Sequence, residues 1–194
     1  MRRRHREGAD ELREANALLD GHFELRSGLH SNQFFQCALL TRLPDKAEKL
    51  CRAVVSKMLG DTDSIEADGV IAPAVGGIVV GHEVARALKL PSIFAEKTPE
   101  DDLILRRGFK IQPGETYVVA EDVITRGGRV QQTIELVESH GASVAAVVVL
   151  VDRSGGKASF SVPHVSLLEM EPVVYEPSEC PMCQDGSTAE HPGS

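Results

Sequence analysis

Glu121 and Asp122 are adjacent acids, followed closely by a hydroxyl at Thr125, arginines at 126 and 129, and a glycine pair, Gly127 and Gly128. Carboxylates side by side accept hydrogen bonds from sugar hydroxyls or hold the water shell of a metal ion. Glycine-flanked N–H groups at a helix start hold a phosphate. Together these residue types suit a phosphate next to a ribose. They also occur as ordinary punctuation in α/β proteins, and a glycine pair by itself carries little information.

Three other places carry usable chemistry. Pro73-Ala74-Val75-Gly76-Gly77 is a second glycine-bearing stretch, either another anion site or a tight turn that lets helix and strand pack closely. Lys97 stands at the root of Thr98-Pro99-Glu100-Asp101-Asp102, a polar run with no apolar anchor that reads as a mobile lid; its ammonium suits a departing pyrophosphate or plain solvation. Arg153, in Asp152-Arg153-Ser154-Gly155-Gly156, offers a guanidinium fork to a planar anion, unless Asp152 pairs with it.

These residues must be positioned by strands and helices. Val118, Val119 and Ala120 form a short apolar run that stops at the acids, and Val130, Ile134 and Val137 recur at helical spacing up to Gly141. Strand, loop and helix start are thus the expected order. Gly69–Ala72 is a strand feeding the second loop and a helix from Ile78 to Leu88, and Val144–Val151 is a β-branched run covered on both faces. Two such loops in successive βα units would meet at the carboxyl edge of one parallel sheet. Pro44 opens an amphipathic helix ended by Gly60, with Cys51 on its apolar face as a packed thiol. Further strands are expected at Pro91–Ala95, Leu103–Phe109, Phe160–Val162 and Val165–Leu168. Asp10 caps a helix that runs through Leu12, Ala15, Leu18 and Leu19 and stops at Gly21. From His22 to Leu39 two short strands flank a turn at Ser27-Gly28; of Phe34 and Phe35, either one faces the core and the other is free to stack, or both are buried in a hood.

The chain has 194 residues, 42% of them hydrophobic, enough for one domain with a core. Its net charge of -8 opposes a large nucleic-acid face, and no apolar stretch reaches the ~20 residues that span a bilayer. A cytoplasmic location is expected. Cys37, Cys51, Cys180 and Cys183 do not read as a disulfide framework. Cys180-Pro-Met-Cys183 has metal-ligand spacing, yet zinc takes about four ligands and one pair is visible, so a structural pair of thiols is expected.

The ordered combination resembles the signature of type I phosphoribosyltransferases. More narrowly, F-E-L-R-S-G-L-H-S (23–31), A-P-A-V-G-G (72–77), F-A-E-K (94–97), L-R-R-G-F (105–109), E-D-V-I-T-R-G-G (121–128) and V-D-R-S-G-G (151–156) resemble orotate phosphoribosyltransferases of the bacterial branch with a late C-P-x-C. The resemblance implies an α/β fold with a mainly parallel central sheet flanked by helices. A small hood of about residues 20–40 plus C-terminal strands would cap a core of about 45–157, with a flexible tail from about 185. It implies transfer of phosphoribose from 5-phosphoribosyl-1-pyrophosphate to orotate, Mg²⁺ carried mainly by the donor, and a homodimer. Glu121 and Asp122 would hold the ribose; Val123, Ile124, Thr125, Arg126, Gly127, Gly128 and Arg129 the 5′-phosphate; Ala74, Val75, Gly76 and Gly77 the pyrophosphate. Thr125 and Arg153 would contact orotate, with Arg26, Phe34 and Phe35 on the hood, and Lys97 would reach the neighbouring subunit's site. Three departures stand out: a short lid without histidine or second lysine, arginines at 126 and 129 where small or hydroxylic residues are usual, and Arg26 in place of a lysine. A purine-directed transferase and a non-enzymatic sensor of the donor are the rival readings.

Overall fold

The residues Thr116–Ile124 form the central strand β6 of a six-stranded sheet in the order β5-β4-β3-β6-β7-β8. The structure, a computed structural model, describes residues 12–15, 17–25, 27–60, 62, 64–170 and 173–192. In the sheet, β3 (Gly69–Pro73), β4 (Ser92–Lys97), β7 (Ser143–Asp152) and β8 (His164–Glu169) run parallel to β6 or to one another. The edge strand β5 (Leu103–Leu105) is antiparallel to β4.

Strand residues alternate between the two faces, and both faces are dry. Val118, Ala120, Val148 and Leu150 join one apolar cluster, while Val119, Val147 and Val149 join the other. Helices α2 (Pro44–Leu59) and α3 (Gly77–Leu88) cover the first face through Val54, Val80 and Val84. Helix α4 (Gly128–Ser139) covers the second through Val130, Ile134 and Val137. Cys51 is fully buried in the first cluster, and burial pushes its thiol up to about 12, so it is a packing residue as expected.

A separate sheet makes the hood. It consists of β1 (Leu18–Glu24), β2 (His30–Phe35) and β9 (Val174–Tyr175), all antiparallel. A short helix, α1 (Cys37–Thr41), links it to the core, and α5 (Pro181–Gln184) follows β9. Of the segment expected as a flexible tail, Glu190 donates its N–H to His22 O at 2.8 Å and accepts from Glu24 N at 2.9 Å.

The structure corrects three element expectations. Helical backbone at the start is confined, among the described residues, to Leu12–Glu14; Leu18 and Leu19 belong to β1, where pairing with Phe35 and Phe34 overrides their helical spacing. The strand expected over Leu103–Phe109 stops at Leu105. Arg107 turns the chain with φ 57° and lays its guanidinium on the Glu96 carboxylate and 5.7 Å from the Phe94 ring. Phe160–Val162 is not a strand; Phe160 instead fills the space beside Gly127, where an added Cβ would lie 2.9 Å from its ring. No helix among the described residues is long and apolar enough to cross a membrane.

Candidate active site

Strands β3 and β6 are parallel neighbours, so their exit loops emerge at the same sheet edge. The closeness is steric. A Cβ built on Gly76 would lie 2.7 Å from Asp122 Oδ2, and one on Gly77 would lie 3.0 Å from Glu121 Oε1. A side chain at either position would have to push the acidic pair aside. Ala74 and Val75 complete this loop, joined by a cis peptide bond, with the Val75 side chain exposed.

The two acids occupy unlike surroundings. Glu121 is buried, and its Oε1 accepts the Asp122 N–H at 3.0 Å. Loss of water around it, and after that the neighbouring Asp122 charge, raise its carboxyl well above the ordinary range, so it holds its proton more firmly than a surface glutamate. Asp122 is half-buried at the cavity wall, and its Oδ1 accepts the Val123 N–H at 2.8 Å.

Beyond Ile124 the chain leaves β6, turns through exposed Thr125 and Arg126, and enters α4 by way of Gly127 at φ 77°. That left-handed backbone, together with the ring of Phe160, leaves room for no side chain at 127. Helix α4 has neither a side-chain cap nor an acid in its first turn. A pocket of about 90 Å³ sits here, bounded by Glu121, Thr125, Arg126, Gly128 and Arg129 among others. Uncapped N–H groups and the helix dipole give it the character of an anion hole.

A larger cavity of about 960 Å³ adjoins it, between the sheet edge and the hood. Asp122, Val123, Thr125, Arg126, Arg153, Phe34 and Phe35 all line it. Phe35 is buried and Phe34 half-buried, its ring 5.8 Å from Phe23. Arg153 leaves the end of β7 half-buried, and removal from water lowers its basicity. Asp152 does not pair with it: Asp152 Oδ1 accepts the Ser154 N–H at 2.7 Å, and Oδ2 lies 3.9 Å from His164. No other carboxylate among the described residues bridges Arg153, which leaves its donors for a ligand. Arg26 lies outside the described residues.

Lys97 falls elsewhere. It ends β4, and its ammonium bridges Asp101. The run expected as a mobile lid is a short turn of the β4–β5 hairpin, closed by Thr98 N–H to Asp102 O at 2.8 Å. Asp101 gathers this turn onto α4: Arg129 reaches its carboxylate at 3.2 Å, and Gln132 its carbonyl at 3.3 Å. Arg129 thereby spends its charge on the turn.

Among the cavity residues that sequence reasoning missed, Cys37 and Lys157 carry chemistry. Cys37, at the start of α1, lines the cavity with its thiol against Asp122; burial, and then that carboxylate, keep it protonated. Nothing in its local pattern marks it, since the contact exists only once the hood folds over β6. Lys157 lines the cavity directly after Gly156, and its charge type was the available signal. With Arg126 and Arg153 it gives the cavity three cations against one carboxylate, Asp122.

A parallel sheet with a glycine loop, an acidic pair and an uncapped helix start at one edge defines a phosphoribosyltransferase, and the family model for the phosphoribosyl transferase domain matches residues 41–181. An orotate phosphoribosyltransferase of Carboxydothermus hydrogenoformans is 50% identical over 93% of this chain and 93% of its own. That of Thermotoga maritima is 44% identical over 94% and 95%. The chain belongs to the orotate phosphoribosyltransferase family. Among solved structures, the orotate phosphoribosyltransferase of Aeropyrum pernix, 25% identical, superposes with a TM-score of 0.69 over 84% of this chain and 93% of that one.

Proposed function

We propose that the protein transfers phosphoribose from 5-phosphoribosyl-1-pyrophosphate to N1 of orotate, giving orotidine 5′-monophosphate and pyrophosphate, a step of pyrimidine nucleotide synthesis. The carrying observation is the juxtaposition of the anion pocket at α4 with a cavity that holds a half-buried arginine without a carboxylate partner. The first suits the donor's 5′-phosphate, and the second suits a planar base bearing a carboxylate.

In this reading the loop from Val123 to Arg129 cradles the 5′-phosphate, and Glu121 and Asp122 bracket the ribose hydroxyls. Between them the two side chains orient the sugar. Arg153 and Thr125 hold orotate under Phe34 and Phe35, and Ala74–Gly77 receive the pyrophosphate. The C1–O bond to pyrophosphate breaks with its electron pair leaving on oxygen, and N1 of orotate, which gives up its proton to water or to the departing pyrophosphate, supplies the pair for the new bond to C1. Positive charge develops on the ribose meanwhile, so nearby carboxylate charge and exclusion of water by the hood favour the transition state.

The oxygen donors at the sheet edge fit a hard cation: Asp122 Oδ2 faces the Gly76 loop with no protein cation bridging it among the described residues. Magnesium would be held by the donor's pyrophosphate with Asp122 reaching its water shell, and when bound it supplies positive charge to the leaving group. Lys97, engaged by Asp101 within one chain, would act across the interface of a homodimer. A reducing cytoplasm suits the free cysteines.

The test is loss of orotate absorbance on mixing the purified protein with the donor and Mg²⁺, with adenine, hypoxanthine and uracil run in parallel. Consumption of orotate alone is expected; consumption of a different base would overturn the roles of Arg153 and the hood.

A further inference from the structure

Four side chains with metal-binding lone pairs converge under the hood: His22 of β1, His30 of β2, and Cys180 and Cys183 at the start of and within α5. Their ligand atoms all lie within 4.8 Å of one another, and the first three residues are buried. The two histidines share a face of the hairpin because His30 pairs with Glu24, two residues from His22. Their rings meet edge to face with centroids 4.8 Å apart.

The distances have the scale of a coordination shell. A tetrahedral zinc with bonds of ~2.05 Å to nitrogen and ~2.3 Å to sulfur spaces its ligands ~3.3 Å (N to N) and ~3.6 Å (N to S) apart. Here His22 Nε2 and His30 Nδ1 are 2.8 Å apart. Cys180 Sγ lies 3.5 Å from His22 Nε2, and Cys183 Sγ lies 3.7 Å from His22 Nε2 and 3.3 Å from His30 Nδ1. Closing a shell around one ion thus opens the shortest pair by about half an ångström and draws in the widest, up to 4.8 Å apart, by about 1 Å. An outer contact is present too: His22 Nδ1 is 3.1 Å from Ser187 Oγ, and with Nδ1–H donating to that hydroxyl Nε2 is the lone-pair nitrogen.

We propose that His22, His30, Cys180 and Cys183 form a structural zinc site that staples the hood. Two thiolates and two imidazoles are a borderline-soft, tetrahedral donor set that selects zinc over magnesium. Four protein ligands leave no open position, so the site does no chemistry on a substrate. Its effect is mechanical. Cys183 and His30 are 153 positions apart, and one ion joining them fixes α5 to the β1–β2 hairpin and with it β9, whose Val174 lines the large cavity. The expectation of a bare structural thiol pair is replaced, because the missing half of the ligand set comes from two histidines that only the hood brings near.

The test uses the full chain purified without chelator, with zinc measured by elemental analysis. About one zinc per chain is expected. Cys183→Ser and His30→Gln should each lower the zinc retained on dialysis by ~10-fold or more, Ser187→Ala should weaken affinity by ~10-fold, and Met182→Ala should retain the metal. Should the ligand variants fail to fold, cobalt(II) exchanged into the unaltered protein decides the matter. Intense visible bands of tetrahedral cobalt with thiolate charge transfer support the site. Zinc far below one per chain, a weak octahedral cobalt spectrum, or a Cys180–Cys183 disulfide in unreduced protein would overturn it.

Discussion

Replacing Gly76 by alanine separates the position of the Asp122 carboxylate from the stability of the fold. The backbone at Gly76 is ordinary right-handed, with φ −58° and ψ −41°, so alanine brings no backbone strain. Lower freedom of the unfolded chain favours the alanine form by about 0.4–1 kcal/mol. The new methyl would sit 2.7 Å from Asp122 Oδ2 and 3.2 Å from its Cγ, so the carboxylate must retreat by about 0.7 Å to reach ordinary contact. A retreat that breaks the 2.8 Å bond from Val123 N–H costs ~1.5–3 kcal/mol, which caps the net destabilisation at about 2–3 kcal/mol. Misplacement on this scale of a group that positions the reacting sugar costs ~10²-fold in rate, or ~2.7 kcal/mol of transition-state stabilisation. The assay is kcat/KM for the phosphoribosyl donor at saturating orotate, with a thermal melt on the same sample. A folded Gly76→Ala enzyme within about threefold of the parent would refute the reasoning, because the carboxylate would then have moved without consequence.

Asp122→Asn is expected to lose ~10²-fold or more of turnover with little change in melting temperature, and near-normal turnover would remove Asp122 from the site. Arg153→Ala should raise the KM for orotate by ~10- to 100-fold and leave that for the donor nearly unchanged; equal effects on both would count against its role. Because it removes a desolvated cation, the same change should leave stability equal or higher. Glu121 gives a pH signature. Burial, and then the Asp122 charge, raise its folded-state carboxyl well above 4.5, so the native chain keeps a proton that the unfolded chain has lost. Its contribution is complete below about 4.5 and is lost as pH rises through the raised folded value. Glu121→Gln should therefore flatten the fall in urea midpoint above that pH, and an unchanged slope would contradict the assignment.

The core was legible because parallel strands buried on both faces leave continuous apolar runs, as Val118–Ala120 and Val144–Val151 do, and because glycines next to acids mark the exits. Glu121, Asp122 and the Thr125–Gly128 loop were readable for the same reason: the chemistry is local. What failed was decided by distant partners. Leu18 and Leu19 have helical spacing but pair with β2; Arg106 and Arg107 look extendable, yet Glu96 and Phe94 draw the second of them into a turn. His22 and His30 carry no mark in their own segments, and their relation to the late cysteines becomes visible only when the hairpin meets α5.

The hood sheet also carries an order of assembly. β2 is paired on one side by β1, which precedes it, and on the other by β9, which follows the whole core in sequence. During synthesis the loops at Gly76 and Gly127 are complete while the third strand of the hood has yet to be made. A nascent or truncated chain therefore acquires the elements proposed to hold the sugar phosphate before the cover over the base, and competence to exclude water from the donor arrives last.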